Sequence, residues 1–458
     1  MKTSFLSALH KSSGKTMLTV GLSRALTVRG SIVQPFKKGP DYIDPMWLSH
    51  AAGRDCCNLD FNTMSHEVIG STFAEFTSGA DFAIVEGNKG LFDGVTVDGR
   101  DSNAALAKLL ATPVVVIVDT RGMTRGVAPV LLGYQAFDKE LVIAGVILNQ
   151  VGGIRHERKL RASIEHYTDI PVLGSIGRYK EMSIPERHLG LTPINEDRHA
   201  DNAIANITTI IEDNVNLDLF QSLAHPAIIG ATKNTRSPLL KPDIRIAIAR
   251  DTAFGFYYPD DLDALRQAGA ELVPFNALTD TSLPDADGLL IGGGFPETQA
   301  SELQANKSLR DNIRTRLASG MPAYAECGGL MYLARSITWE GNTYQMAGVI
   351  PGDIIMHEQP IGRGYVQLQE TDNIPWDTSD FKRAGKNVPA HEFHYASLEN
   401  LSKNNIFAYN VKRGHGIDGT HDGIVIGNLL AAFSHQRNIG QNRWAERFIT
   451  FVRSKKGL

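Results

Sequence analysis

The chain of 458 residues is 42% hydrophobic and 21% charged, with a formal net charge of −4. That is the make-up of a globular protein long enough for two or three cored domains. No basic field is offered to nucleic acid or an anionic membrane, no apolar run nears the ~20 residues that span a bilayer, and three cysteines cannot staple a chain of this size. No secretory-leader pattern opens the chain, so a cytoplasmic location is the expectation.

In chain order, "SFLSAL" (4–9) predicts a short strand, and 15–29 a helix with Leu18, Leu22 and Leu26 on one face before Gly30. "SIVQPF" (31–36), "DFAIVEG" (81–87), "PVVVIVD" (113–119), "LVIAGVILN" (141–149) and "IPVLGSIG" (170–177) predict buried strands. Near-continuous apolar strands alternating with helices imply a parallel sheet covered on both faces. Residues 226–242, rich in Pro, Gly, Lys and Ser, predict a linker between domains at 1–225 and 243–458. Beyond it the alternation restarts with strands at 244–251, 270–275 and 286–294 and helices at 260–268 and 307–319. The expectation is an α/β protein of two domains.

Three groups of residues carry chemistry. "SALHKSSGKT" (7–16) ends as a phosphate loop does, with Gly14, Lys15 and Thr16 leading into a helix. In such loops the backbone amides cradle phosphates, the lysine reaches the outer ones and the hydroxyl ligates Mg²⁺. Second, carboxylates lie just past predicted strands, where a doubly wound sheet binds ligands. "VEGNKGLFDG" (85–94) supplies Glu86 and Asp93, and "FKKGPDYIDP" (36–45) supplies Lys37, Asp41 and Asp44. Third, "PAYAECGGLMYLA" (322–334) reads strand, tight turn, helix, with Cys327 at the turn, a cysteine version of the nucleophile elbow. Glycine amides of "GGGFPE" (292–297), Gly293 and Gly294, with that of Gly328 in the elbow, complete an expected oxyanion hole, and His435 in "LLAAFSHQ" (429–436) is the candidate base. "HEFHY" (391–395) lacks the spacing of a helical zinc-protease motif, which leaves His391 and His394 a substrate-lining or structural role. Cys56 and Cys57, adjacent, are expected to be packing residues.

These motifs together resemble the cobyrinic acid a,c-diamide synthases, in which a phosphate-loop NTPase-like, dethiobiotin-synthetase-like amidoligase domain is fused to a class I-like glutamine amidotransferase domain. The resemblance also covers "CNLD" (57–60), "VILNQV" (146–151), "PERHLGL" (185–191) and "IAIARDTAFGFYYPD" (246–260), and so nearly the whole chain. It implies that Cys327, aided by His435, releases ammonia from L-glutamine. It further implies that ATP with Mg²⁺ phosphorylates the a- and c-acetate side chains of cobyrinic acid, each acyl phosphate then taking up ammonia. Ser12, Ser13, Gly14, Lys15, Thr16 and Asn149 are implied at ATP, the last at its base. Thr16, Asp44, Glu86 and Asp93 are implied at the metal. Lys37, Asp41, Tyr42, Ile43, His391 and His394 are placed near substrate. A homodimer is the expectation by analogy with related nucleotide-binding folds.

The chain departs from the family pattern in places. Ala8, Leu9, Lys11 and Ser12 replace Gly, Thr, Ser and Gly in the loop, and Lys89 stands where Met precedes Gly90. Arg437 occupies the place of a second His, or of the Glu that orients the base in other class I glutaminases, so nothing in the sequence identifies what holds His435 in its tautomer. Two alternatives share the pattern: the same reaction on hydrogenobyrinic acid or nickel-sirohydrochlorin, and a non-catalytic nucleotide-dependent scaffold.

Overall fold

The computed structural model describes residues 1–182, 184–187, 190–227, 241–376, 386–402 and 404–457. The chain divides into two compact units, Met1–Thr235 and Arg236–Leu458. Most of the predicted linker, 228–240, lies outside the described residues, as do two positions of "PERHLGL".

The first unit is built on β1 (Lys2–Ala8), β2 (Val33–Lys38), β3 (Cys57–Leu59), β4 (Phe82–Glu86), β5 (Val114–Asp119), β6 (Ile143–Val151) and β7 (Val172–Gly177). Their order is β3-β2-β4-β1-β5-β6-β7, all neighbours parallel, with the two-residue strand His225–Pro226 antiparallel to β1. Strands β1, β2, β4 and β5 are buried almost throughout, as a sheet covered on both faces requires. The chain leaves β1 towards β2 and β3, returns through β4, and crosses to β5. Strand β1 therefore stands where the winding reverses, and the carboxyl ends beside it form the usual binding crevice. Helices α1 (Lys15–Val28) and α2 (Ile43–Ala52) begin at that crevice.

The second unit carries a nine-stranded sheet. Its strands are β8 (Ile244–Ala249), β9 (Ala270–Phe275), β10 (Gly288–Ile291), β11 (Ala323–Glu326), β12 (Gly362–Glu370), β13 (Asn387–His394), β14 (Ile406–Arg413), β15 (His421–Ile426) and β16 (Leu429–Ala432). The order is β9-β8-β10-β11-β16-β15-β14-β12-β13. The pairs from β9 through β16 are parallel and the rest antiparallel. On one face Tyr324 packs edge-on to Trp376, ring centroids 4.8 Å apart, and against Trp444 at 5.0 Å. The latter opens the C-terminal helix, Trp444–Lys456. This cluster anchors β11, whose last residue precedes Cys327. The antiparallel half of the sheet was not anticipated from sequence, because its strands alternate buried and exposed positions without long apolar runs.

Candidate functional site

The loop after β1 needs fewer glycines than the family pattern supplies. Ala8 ends β1 in extended pairing with Ile117, and the positive φ values fall later, at Ser12 (58°) and Gly14 (83°). At Gly14 a side chain is excluded twice: by that φ, and because a Cβ would stand 2.4 Å from Asn149 Nδ2. Asn149 donates from Nδ2 to Ser13 O (2.9 Å) and accepts Gln150 N at Oδ1 (2.9 Å). Its amide is thus engaged in bracing the loop from β6. Ser13 Oγ donates to His10 O at 2.8 Å, and Ser12 is exposed at the loop's tip.

A cavity of about 460 Å³ opens over this loop, lined by Ser12, Ser13, Gly14, Lys15, Thr16, Lys37, Asp41, Asp44, Glu86 and Asn149, with Lys11, Lys89 and Arg121 among its other walls. The unusual Lys11 and Lys89 therefore add positive charge where a polyanion would lie. Strand register explains the centre of the site: Leu6 of β1 and Lys37 of β2 both pair with Glu86 of β4. Lys37 Nζ lies 2.6 Å from Glu86 Oε1, 2.5 Å from Asp44 Oδ2 and 3.7 Å from Asp41 Oδ2. Burial alone would lower its pKa, but Asp44, Glu86 and Asp41 outweigh burial and raise it well above the ordinary lysine value. Burial and the charge of Asp44 push Asp41 up to about 7. At Lys15, burial and the charge of Lys37 outweigh Glu86, Asp44 and Asp93 and draw it down to about 8.

Thr16 Oγ1 lies within donating reach of Asp44 Oδ2 (3.1 Å) and Glu86 Oε1 (2.9 Å). Glu86 is fully buried, and its Oε2 has no hydrogen-bond partner. A hydroxyl, two carboxylates and one unsatisfied buried oxygen suit a hydrated Mg²⁺ shared with phosphates, since that ion takes few protein ligands and only oxygens. Among the described residues no three His, Cys, Asp or Glu side chains form a ready-made metal cage. Three expected residues have other surroundings. Asp93 accepts Gly90 N at Oδ2 (3.0 Å), capping its own turn, and does not line the cavity. Tyr42 and Ile43 sit at the start of α2 and do not line it either. Asp41 caps that helix, Oδ1 accepting from Ile43 N and Asp44 N.

In the second unit, Cys327 has φ 47° and ψ −102° between β11 and the short helix Gly328–Leu333. A non-glycine residue held there is strained, and the strain persists because the neighbours leave no room for relaxation. Cβ atoms at Gly328 and Gly329 would stand 3.0 Å from Gly294 N and 2.2 Å from Ile291 O. Gly294 and Gly293 pair with Phe254 and Phe256 in a short antiparallel ladder against the elbow. His435 follows β16, and the neighbouring Cys327 sulfur is one of the groups that raise its pKa. Its Nδ1 lies 3.2 Å from Glu326 Oε2. Burial would lower the imidazole pKa, but the hydrogen bonds to Cys327 and Glu326 and their charges outweigh it and raise His435 to about 10.

His391 and His394 belong to this unit too. Backbone bonds tie His391 to His435 in both directions (3.1 and 2.7 Å), and their rings stack at 5.0 Å with 18° between planes. Burial, then the charges of His435 and Arg437, hold His391 well below the ordinary histidine value. His394 is buried against the Phe433 ring at 4.1 Å, and its Nδ1 lies 2.8 Å from Ala396 O. Arg437 turns away from His435 to Asp260 (2.7 and 3.0 Å). The residue missed from sequence is Glu326. Its only signal was its place beside Cys327, and the pairing of Glu326 with Ala432 is what carries it to His435.

The fit between Gly293 and His435 gives a testable outcome. A Cβ at Gly293 would come within 2.7 Å of His435 Cε1, so Gly293→Ala must shift the ring away from the sulfur. Glutamine hydrolysis, measured as glutamate release, is expected to fall by about 10²-fold, with the thermal melt nearly unchanged. A loss of less than about twofold would show that the ring position is not critical.

Residues 245–442 match the model of a CobB/CobQ-like glutamine amidotransferase domain, and residues 2–186 that of an AAA domain. A cobyrinate a,c-diamide synthase of Magnetococcus marinus is 46% identical over 98% of this chain and 97% of its own. The proteins of that name from Methanosarcina acetivorans and Archaeoglobus fulgidus are each 39% identical, over 96% and 97% of this chain and 93% and 96% of theirs.

Proposed function

The chain belongs to the cobyrinate a,c-diamide synthase family, and from that premise we propose how its own residues divide the work of the reaction. The protein is a glutamine-hydrolysing, ATP-dependent ligase of cobalamin biosynthesis. In the second unit the Cys327 sulfur attacks the side-chain amide carbon of glutamine. His435 takes the thiol proton and passes it to the departing nitrogen, ammonia leaves, and a γ-glutamyl thioester remains for water to hydrolyse. Amides of Gly293, Gly294 and Gly328 serve as the oxyanion donors.

In the first unit the loop amides of residues 12–15 and the ammonium of Lys15 hold the ATP phosphates. Thr16, Asp44 and Glu86 would hold Mg²⁺, which supplies charge neutralisation for phosphoryl transfer. Lys37, already among carboxylates, steadies the substrate acetate. That acetate oxygen takes the γ-phosphoryl group and ADP departs. A carboxylate is a poor electrophile, whereas the acyl phosphate lets ammonia add and phosphate leave. The substrate is cobyrinic acid, the protein is cytoplasmic, and a homodimer is its working form.

The observation that carries this reading is the presence, in one chain, of a built Cys–His pair and a phosphate loop facing carboxylates. Mass spectrometry of cobyrinic acid after incubation with the protein, Mg·ATP and amide-labelled glutamine tests it. Two labelled amides, formed only with ATP, are expected. Glutamine hydrolysis without amidation would redirect the proposal to another tetrapyrrole, such as a sirohydrochlorin.

A further inference from the structure

We propose that Glu326 is the positioning residue of the glutaminase site, its carboxylate accepting the Nδ1–H of His435 and so presenting the ring's other nitrogen to Cys327. The proposal rests on the reading of Cys327 and His435 as the glutaminase pair. In chain order Glu326 is the residue just before the nucleophile, an unusual source for such a group. The structure nevertheless brings Oε2 to 3.2 Å from His435 Nδ1.

The direction of each bond follows from the chemistry. An ionised carboxylate only accepts, so Nδ1 must carry the proton. The carboxylate itself is held at its second oxygen, where Oε1 accepts the Tyr324 hydroxyl (2.6 Å) and the backbone N–H of Gln436 (3.0 Å). Tyr324 OH in turn accepts from Gln436 Nε2 at 3.2 Å, which leaves its single hydrogen for Glu326. Gln436 Nε2 also reaches Tyr409 OH at 2.7 Å. Tyr324 is fixed by Trp376 and Trp444. The orienting carboxylate is thus anchored in the core of the unit.

His391 covers one face of the His435 ring and contributes a stacked ring. Gly293 has no side chain, and a Cβ there would meet Cε1 at 2.7 Å. Arg437, two residues on, is paired with Asp260. Tyr258 faces His391, its OH 3.5 Å from Nδ1. Glu326 sets an acceptor oxygen 3.2 Å from Nδ1. Its charge supports an imidazolium, consistent with the raised pKa of about 10.

The test compares Glu326→Gln and Glu326→Asp with the parent full-length protein, measuring glutamate released from glutamine across neutral and alkaline pH. A glutamine side chain can donate to Nδ1 and so favours the wrong tautomer. For Glu326→Gln, kcat is expected to fall by roughly 10²–10⁴-fold while KM for glutamine changes little, the upper end being the loss in a triad whose carboxylate is made an amide. The alkaline limb of kcat/KM should move to lower pH by about one unit, the loss of a carboxylate at this range. Glu326→Asp should recover a substantial part of both. A Glu326→Gln profile that overlays the parent, or a loss confined to KM, overturns the proposal. If that variant does not fold, Tyr324→Phe replaces it. It removes one of the two bonds at Oε1 without removing the carboxylate, and a smaller shift in the same direction is expected, whereas an unshifted limb counts against the role. A parent protein that releases no glutamate, indistinguishable from Cys327→Ala, would instead refute the underlying glutaminase reading.

Discussion

Cys327→Ala is expected to abolish glutamine-dependent amidation, a loss of about 10⁴-fold or more, while amidation supported by free ammonium salts persists at near the parent rate. In the proposed mechanism Cys327 alone forms the thioester: its sulfur sits on a backbone of φ 47° with glycines behind it, and His435 and Glu326 are assigned proton handling. The first unit keeps its own loop and carboxylates whatever happens at Cys327, so supplied ammonia can still attack the acyl phosphate. The measurement is amide formation by mass spectrometry with each nitrogen source in parallel. Loss of both activities would mean that Cys327 serves the structure as well as the chemistry. Retention of glutamine use would remove Cys327 from the mechanism.

Lys15→Ala is expected to show the complementary pattern, losing amidation with glutamine and with ammonia alike by at least about 10²–10³-fold. The lysine is buried beside the loop, and its ammonium reaches His10 O only at a long 3.5 Å. Its replacement therefore costs little folding energy, and the thermal melt should barely move. What is lost is the charge facing the phosphates, which the surrounding amides and Lys11 cannot replace in position. Steady-state assays with varied ATP should show both a higher KM and a lower kcat. Ammonia-dependent amidation within about threefold of the parent would show that loop 12–16 does not carry the transferred phosphate.

Much of this was legible in the chain because the physics is local. Buried parallel strands must be apolar on both faces, so "PVVVIVD" and "DFAIVEG" announce themselves, and α1 follows from the leucine spacing after Gly14. Charged residues hid the rest. The reading ended β2 at Phe36, yet the strand continues through Lys37 and Lys38, both buried, because Glu86 on the neighbouring β4 and Asp44 on α2 compensate Lys37. No rule of composition places lysines inside a strand without knowing those partners. The altered loop shows the same limit. Whether Ala8 could stand for glycine depended on where the positive φ would fall, and it falls at Ser12 and Gly14 instead.

The sequence by itself pointed to the two-unit α/β organisation, to the elbow at Cys327 and His435 as the candidate glutaminase pair, and to the Lys–Thr end of a phosphate loop. Each is a short-range pattern: a periodicity, a turn between strand and helix, a glycine run. Only the tertiary structure decided that Asp44 and Glu86, but not Asp93, surround Thr16, that His394 lies buried against Phe433, and that Glu326 faces His435. These are contacts between residues from 28 to 109 positions apart, apart from the Asp93 turn. They are set by strand order and register, and a side chain's neighbour on the next strand is invisible until the sheet is assembled.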